Sequence, residues 1–363
     1  MKDEFLDDAE AHTLAKHQIL QEYLKGWLPI LGRGQANRLL FFDGFAGCGE
    51  LTKGHPGSPV VAIQTAMTAL SGQAPLEIRM VEKDPVRCAY LLKIIQHQRK
   101  TISTLYPTIR VLDPVCGECE PVVTELLDDH ARSHKQLGPA LFFLDQYGYS
   151  NIPMALLQRI LSNPKCETFS YLNWQRMHPY FTDSTKAETF TRALGGDEWR
   201  DVQALQGQKR IDGFKAIYVR LLRERAKAKY VYDFAMRGRD HRPIYWLFFC
   251  TNSLKGLEVM KKAMWKVDPT GRFEFSDRDA EQGMLTGYTQ EILADDLHRD
   301  LRGQTLSSDE LKEYVLTKTP ECTFKEAIQV LKSRGCAKEQ RRDNQTIYIF
   351  TEPPMKTMSM FGD

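Results

Sequence analysis

The sequence predicts an α/β fold: a doubly wound, mostly parallel sheet with a helical insertion, followed by a small helical domain. Three observations carry that prediction. Leu39-Leu-Phe-Phe is a short apolar run closed by Asp43 and followed by Gly44, Gly47 and Gly49. Leu76–Val81 is a second strand-length run, with Glu77 and Arg79 between its apolar residues, and ends in Glu82-Lys-Asp. Pro139–Leu144 is a third and ends in Asp145. Segments this short, each ending in an acid, read as parallel strands whose carboxyl ends open onto a ligand crevice.

The remaining elements follow in order. Ala11–Leu28 is an amphipathic helix with Leu14, Leu20, Leu24, Trp27 and Leu28 on one broad face, expected to pack across the sheet and to end or kink at Pro29. After the glycine turn and a polar loop at 52–57, Ser58 as N-cap and Pro59 in the first turn open a helix that runs to Leu70. Pro85–His97 is the next helix, Ile109–Leu112 the third strand, Ile152–Leu161 a helix and Glu167–Leu172 the fifth strand. Gln175–Lys229 is longer than one connecting helix requires and reads as a helical insertion, suited to a substrate lid. Its Lys209–Lys229 stretch carries eight Lys or Arg against Asp212 and Glu224, above an apolar face of Ile211, Phe214, Tyr218, Leu221 and Leu222. That charged face is either solvated or a nucleic-acid contact. Tyr230–Met236 and Ile244–Cys250 flank a polar turn and read as a hairpin, which puts an antiparallel strand into the sheet. Leu254–Trp265 closes the domain as a helix.

The organisation expected is therefore an N-terminal helix over 1–35, a core over 36–268 with the insertion at about 175–229, and a terminal domain over 290–351. In the last, a helical segment begins near Leu297, Ser307–Thr317 and Thr323–Arg334 read as helices, and Ala337–Gln340 and Thr346–Phe350 as strands. Gly335 stops the second of these helices and Thr323 is its expected cap. Helix, turn, helix and hairpin make a winged-helix pattern. Lys325, Lys332 and Arg334 fall on its recognition helix, with Lys338, Arg341 and Arg342 on the wing, a basic set suited to phosphate contacts or to docking a protein. The last segment, Glu352–Asp363, is rich in Met and Pro and expected to fray.

Composition sets limits. The 363 residues carry a net charge of +2, so bulk electrostatics do not indicate nucleic acid and any such binding must come from a local patch. The chain lacks an apolar run of about 18 residues and a basic-then-apolar leader, and is expected to be cytoplasmic and off the membrane. The eight cysteines are scattered and suit reduced thiols. Cys116-Gly-Glu-Cys119 has metal-ligand spacing, yet no second ligand pair follows, so no metal is expected there. Cys48, in the glycine turn, reads as an ordinary loop thiol rather than a nucleophile.

The D-x-F-A-G-x-G form at Asp43–Gly49 is the one S-adenosylmethionine (SAM) enzymes of the Rossmann-like class carry at their first strand. A P-loop would need a Gly-Lys-Ser/Thr that is absent, and a dinucleotide fingerprint a third glycine at another spacing. On this reading Gly44, Phe45, Gly47 and Gly49 admit the cofactor, Asp43 faces its methionine end and Glu82 holds its ribose; the plainer reading of Glu82 is a solvated strand-end carboxylate. Asp145-Gln-Tyr147-Gly-Tyr149 occupies the place of the D/N-P-P-Y segment of amino-methylating DNA methyltransferases, with Gln146 and Gly148 departing from it. Asp145 would accept a hydrogen bond from the target amino group, and Tyr147 or Tyr149 would stack on an extruded base. Alternatively Asp145 merely caps the turn into the next helix.

Phe42-Asp-Gly-Phe-Ala-Gly-x-Gly, Gly57-Ser-Pro, Val81-Glu-Lys-Asp, Phe143-Leu-Asp-x-Tyr-Gly-Tyr-Ser and Met264-Trp-Lys-Val-Asp-Pro-x-Gly-x-Phe together resemble the three-Cys-motif partner family (TcmP), as does Leu24-Lys-x-Trp-Leu-Pro-Ile-Leu. The resemblance spans nearly the whole chain. It implies a Rossmann-like class I methyltransferase sheet binding SAM, and a phage-type partner protein with a cysteine motif like that of radical-SAM enzymes. The activity so implied is methyl transfer to an amino group of DNA or RNA. The alternatives are a non-catalytic subunit that binds nucleic acid or the partner, and a different nucleotide-ligand enzyme on the same fold.

Overall fold

The computed structural model describes residues 6–34, 36–70, 74–133, 137–276, 287–342 and 344–352. The segment Glu352–Asp363, expected to fray, lies outside the described residues from Pro353 onward. The chain divides into two compact units, 1–267 with 273–283, and 268–272 with 284–363.

Nine strands build the sheet of the first unit: β1 (Leu39–Asp43), β2 (Leu76–Glu82), β3 (Ile109–Val111), β4 (Val115–Cys116), β5 (Ala140–Leu144), β6 (Cys166–Leu172), β7 (Tyr230–Arg237), β8 (Pro243–Thr251) and β9 (Glu274–Ser276). Their order is β3-β2-β1-β5-β6-β8-β7-β9, with β4 paired to the tip of β2. β8 runs antiparallel to both β6 and β7, and the other pairings are parallel. The unit is thus a mixed α/β structure on a mostly parallel sheet. Strand order reverses between β1 and β5, the place where doubly wound sheets collect ligands.

β1 and β5 are buried along their whole length, as the unbroken apolar runs require. Alternation then sorts their side chains between two faces. Leu40, Phe42, Phe142 and Leu144 join one core, and Phe41 and Phe143 the other.

Helix α1 (Ala11–Gly32), α2 (Ser58–Ala69), α3 (Pro85–Leu105) and α9 (Leu254–Val267) belong with the second core, where α1 packs between α2 and α9. Pro29 does not end α1, which continues to Gly32. The carbonyl that Pro29 deprives of a partner is that of Lys25, on the exposed side of the helix, so the lost bond is cheap there. One anchor is polar. Glu167, 6% exposed on β6, accepts hydrogen bonds from Tyr23 Oη at 2.5 Å, Trp27 Nε1 at 2.8 Å and Thr251 Oγ1 at 2.7 Å. A Cβ on Gly256 would lie 2.1 Å from Glu167 Oε1, so α9 can approach this carboxylate only with glycine there.

On the other face lie α4 (Cys119–Arg132), α5 (Met154–Leu161) and the insertion, with α6 (Trp174–Met177), α7 (Ala187–Leu194) and α8 (Gly207–Glu224). The insertion is helical as expected, but it is bound to the sheet by a continuous aromatic cluster. Trp174 meets Trp246 at 5.6 Å, Phe181 meets Phe190 at 5.4 Å, and Phe190 meets Trp199 at 5.0 Å. Buried aromatics of this size make a fixed wall rather than a hinged lid. Of its basic residues, Arg210 donates to the carbonyls of Gln203 and Leu205, Lys215 pairs with Asp233 and Arg225 with Glu198.

The second unit contains α10 (Gln290–Leu301), β10 (Thr305–Ser307), α11 (Ser308–Lys318), α12 (Lys325–Ser333), β11 (Ala337–Arg342) and β12 (Gln345–Phe350). Its antiparallel sheet has the order β10-β12-β11. Leu293, Leu297, Leu311, Val315, Ile328, Leu331 and Phe350 form its core. α10 starts at Gln290, earlier than the sequence suggests, because Thr289 caps it by accepting from Ile292 N. Ser307 and Glu310 form a reciprocal capping box on α11. Thr323 does not cap α12. The helix begins after Phe324, whose ring packs on Tyr348 at 5.8 Å, so apolar anchoring replaces the cap.

Candidate functional site

A cavity of about 960 Å³ opens at the carboxyl ends of β1, β2 and β5. Its floor is the turn after β1. Gly44 N donates to Phe143 O at 2.9 Å and Ala46 N to Val81 O at 2.9 Å, tying the turn to both neighbouring strands. Gly47 and Gly49 take φ of +60° and +79°, which L side chains rarely adopt. A Cβ on Gly44 would lie 2.6 Å from Cys119 Sγ, so glycine lets the start of α4 close against the turn.

Glu82 lines the cavity at the tip of β2. Its Oε2 accepts from Gly47 N at 2.8 Å and its Oε1 from Asp84 N at 2.8 Å. Each oxygen keeps lone-pair capacity for one more donor, the pattern needed to receive two vicinal hydroxyls. Arg87, on α3, makes a two-pronged pair with Asp7 at 3.1 and 3.0 Å beside the same turn.

Asp43 sits beneath the turn. It is fully buried and does not line the cavity. Its Oδ2 accepts from Ser58 Oγ at 2.6 Å and its Oδ1 from Phe45 N at 3.2 Å. Ser58 therefore does not cap α2, which has no side-chain cap; its hydroxyl is spent on Asp43. Burial pushes the Asp43 carboxyl up to about 7, with the Asp145 and Glu82 carboxylates adding to the shift against the hydrogen bonds. A raised folded value favours the protonated form, so this contribution stabilises the fold below the ordinary 3.8 and is lost as pH rises through about 7. Wild type should therefore lose up to about 4 kcal/mol relative to Asp43→Asn between about pH 4 and 7. Urea melts of both proteins across that range measure it. A pH-independent difference would contradict the burial argument.

Across the cavity, Asp145 pairs with Lys16 of α1. Lys16 Nζ also lies 5.6 Å from the Tyr171 ring centroid and 6.0 Å from that of Tyr245. Asp145 is thus a cavity residue and not the cap of α5, whose start has no side-chain cap. Gln146 braces the loop that carries it: Oε1 accepts from Asn151 N and Ile152 N at 3.0 and 3.2 Å, and Nε2 donates to Tyr171 O at 3.1 Å. A proline there could not make these bonds. Tyr147 is 76% exposed at the rim, with the Arg176 guanidinium 3.9 Å from its ring centroid. Tyr149 turns away and stacks on Phe190 at 4.9 Å, outside the cavity lining.

The contribution of α1 was not visible in the apolar pattern. His12, Lys16 and His17 line the cavity from one helix, and the i, i+4 spacing of His12 and Lys16 is the sequence signal for it. His17 is buried and held neutral, its imidazole brought down to about 3 by desolvation and by Lys16. Around the whole cavity eight carboxylates face five Lys or Arg side chains.

All eight cysteines are free thiols, Cys119 is buried under the glycine turn, and Cys48 donates to Glu50 O at 2.9 Å. Among the described residues no group of three or more His, Cys, Asp or Glu could hold a metal ion. No helix among them is long and apolar enough to cross a membrane.

In the second unit, Lys325, Arg341 and Arg342 are exposed. Lys332 is paired with Glu339 at 2.8 Å, and Arg334 with Asp295.

No family model matches the chain, and no curated protein does. Solved structures are similar to it at low identity. The protein LPL1258 of Legionella pneumophila is 12% identical over 66% of this chain and 84% of its own, with a TM-score of 0.37. The DszA carbon methyltransferase is 11% identical over 68% of this chain and 56% of its own, also at 0.37. The N-terminal domain of human METTL16, solved with SAH, is 11% identical over 64% and 68%, at 0.29. These are distant likenesses.

Proposed function

We propose that the protein is a SAM-dependent methyltransferase acting on an amino group of nucleic acid. The observation that carries this reading is the acidic character of the switch-point cavity. Eight carboxylates against five Lys or Arg suit a cofactor with a sulfonium and an ammonium, and oppose a pyrophosphate. At the start of α2, where a dinucleotide's phosphates would sit, the Ser58 hydroxyl is spent on the Asp43 carboxylate. Glu82 would hold the ribose hydroxyls, and the Gly44–Gly49 turn with Phe45 would admit the rest of the cofactor. The antiparallel β8 next to β6 supports the methyltransferase variant of the doubly wound sheet over the dehydrogenase one.

Asp145 would accept a hydrogen bond from the acceptor amine and take up positive charge as the methyl group arrives. Methyl transfer is an in-line displacement, so the site mainly aligns two reactants. Tyr147, exposed beside Asp145 and backed by Arg176, would be the stacking face for the acceptor ring. Labelled methyl transfer from SAM to pooled DNA and RNA tests the reading. Asp145→Ala should abolish label transfer with SAM affinity within about twofold, and unchanged transfer would remove Asp145 from the chemistry.

The second unit supports nucleic acid as the acceptor. Its order of helix, strand, two helices and two strands, with the first strand added to the hairpin, supports a winged-helix reading. With Lys332 and Arg334 engaged by acids, the free basic set is Lys325, Lys338, Arg341 and Arg342 among the described residues. Arg341→Glu with Arg342→Glu should weaken binding and lower the salt slope by about 2, while Lys332→Glu should do less. If the double variant leaves nucleic-acid affinity intact, the unit is a docking module for a partner protein such as the cysteine-motif one.

A further inference from the structure

The crevice already contains an amine. Lys16 Nζ contacts Asp145 Oδ2, and the Lys16 side chain is only 9% exposed. The rings of Tyr171 and Tyr245, themselves 4.3 Å apart, flank that nitrogen at the outer range of cation–π attraction. A methyl acceptor needs these same surroundings: a carboxylate oxygen to take its proton, aromatic walls that exclude water, and access to the cofactor cavity. Lys16 lines that cavity together with Gly44–Gly49 and Glu82. The other lysine lining it, Lys83, differs on every count, with a side chain 73% exposed and paired to Glu118 at the rim.

We propose that Lys16 occupies the acceptor subsite in the resting protein and is itself methylated there by bound SAM, an inference that rests on the SAM reading above. The step balances without a further reagent. Asp145 accepts a proton from the Lys16 ammonium and passes it to water. The freed lone pair on Nζ forms the N–C bond to the methyl carbon as the C–S bond breaks, and that bond's electron pair returns to sulfur. The products are Nζ-methyl-lysine at position 16 and S-adenosylhomocysteine. An incoming acceptor must displace Lys16 from Asp145, so the lysine also acts as the resting occupant of the site.

The test is intact-mass analysis of the purified full chain after incubation with SAM, followed by peptide mapping, with SAM binding measured in parallel by calorimetry. The expected result is a gain of about 14 Da per methyl group, mapped to Lys16. Lys16→Arg, which keeps the ion pair to Asp145, should bind SAM and gain no mass. Asp145→Asn should slow the gain by at least about tenfold. SAM binding without any mass gain would overturn the proposal and leave the cofactor reading standing. So would a gain that maps elsewhere and persists in Lys16→Arg. Absence of SAM binding by the folded chain would overturn both.

Discussion

Glu82→Ala is expected to weaken SAM binding by about 100-fold or more. Two charge-assisted hydrogen bonds to ribose hydroxyls contribute about 1.5–3 kcal/mol each, and the substitution removes both. It also releases Gly47 N from its 2.8 Å bond, freeing the turn that the cofactor would lie on. Glu82→Gln should fall between, because its amide oxygen still accepts one bond. Calorimetric titration of the three proteins, each checked for fold by circular dichroism, measures the series. Affinity within twofold of wild type in Glu82→Ala would mean that the carboxylate only latches the turn.

The second large effect is on stability. Glu167→Ala should cost about 3–5 kcal/mol, since it leaves the Tyr23 hydroxyl, the Trp27 indole N–H and the Thr251 hydroxyl buried without their common acceptor. Glu167→Gln should cost much less. Its carbonyl can replace Oε2 towards Tyr23 and Trp27, and its amide can donate to Thr251. All five tryptophans, at 27, 174, 199, 246 and 265, lie in the first unit, so fluorescence-detected urea melts report that unit alone. Equal losses for the two variants would show that the shape of the side chain, and not its acceptor oxygens, holds α1 to the sheet.

β1 and β5 were legible because each is a short apolar run that stops at an acid, and burial on both faces leaves such runs uninterrupted; β2, with Glu77 and Arg79 between its apolar residues, shares the terminal acid. That signal located Glu82 and Asp145 at strand tips, where the cavity indeed lies. Side-chain partnerships were not legible in the same way. Ser58 looks like a cap by its local sequence, and only the fold reveals that Asp43, fifteen positions earlier, takes its hydroxyl. Lys16 belongs to a helix read for its apolar stripe, and its partner is 129 residues away. Pro29 failed as a helix stop because the carbonyl it orphans is on the exposed side of α1. The strands β4, β9 and β10 have two or three residues each, too few for a period to emerge. In the second unit the charge pattern located the basic helix and wing. It could not tell which cations acids from neighbouring elements had already taken, as Asp295 takes Arg334.

The central claim, a cationic ribose-bearing cofactor in an acidic switch-point cavity, is tested most directly by titrating the purified chain calorimetrically with SAM, S-adenosylhomocysteine and NAD. The account predicts one equivalent of SAM and of S-adenosylhomocysteine bound, and no heat from NAD, whose pyrophosphate meets a cavity with eight carboxylates against five Lys or Arg. Binding of NAD in place of SAM, or no binding of either adenosyl compound by a chain that is demonstrably folded, would contradict it.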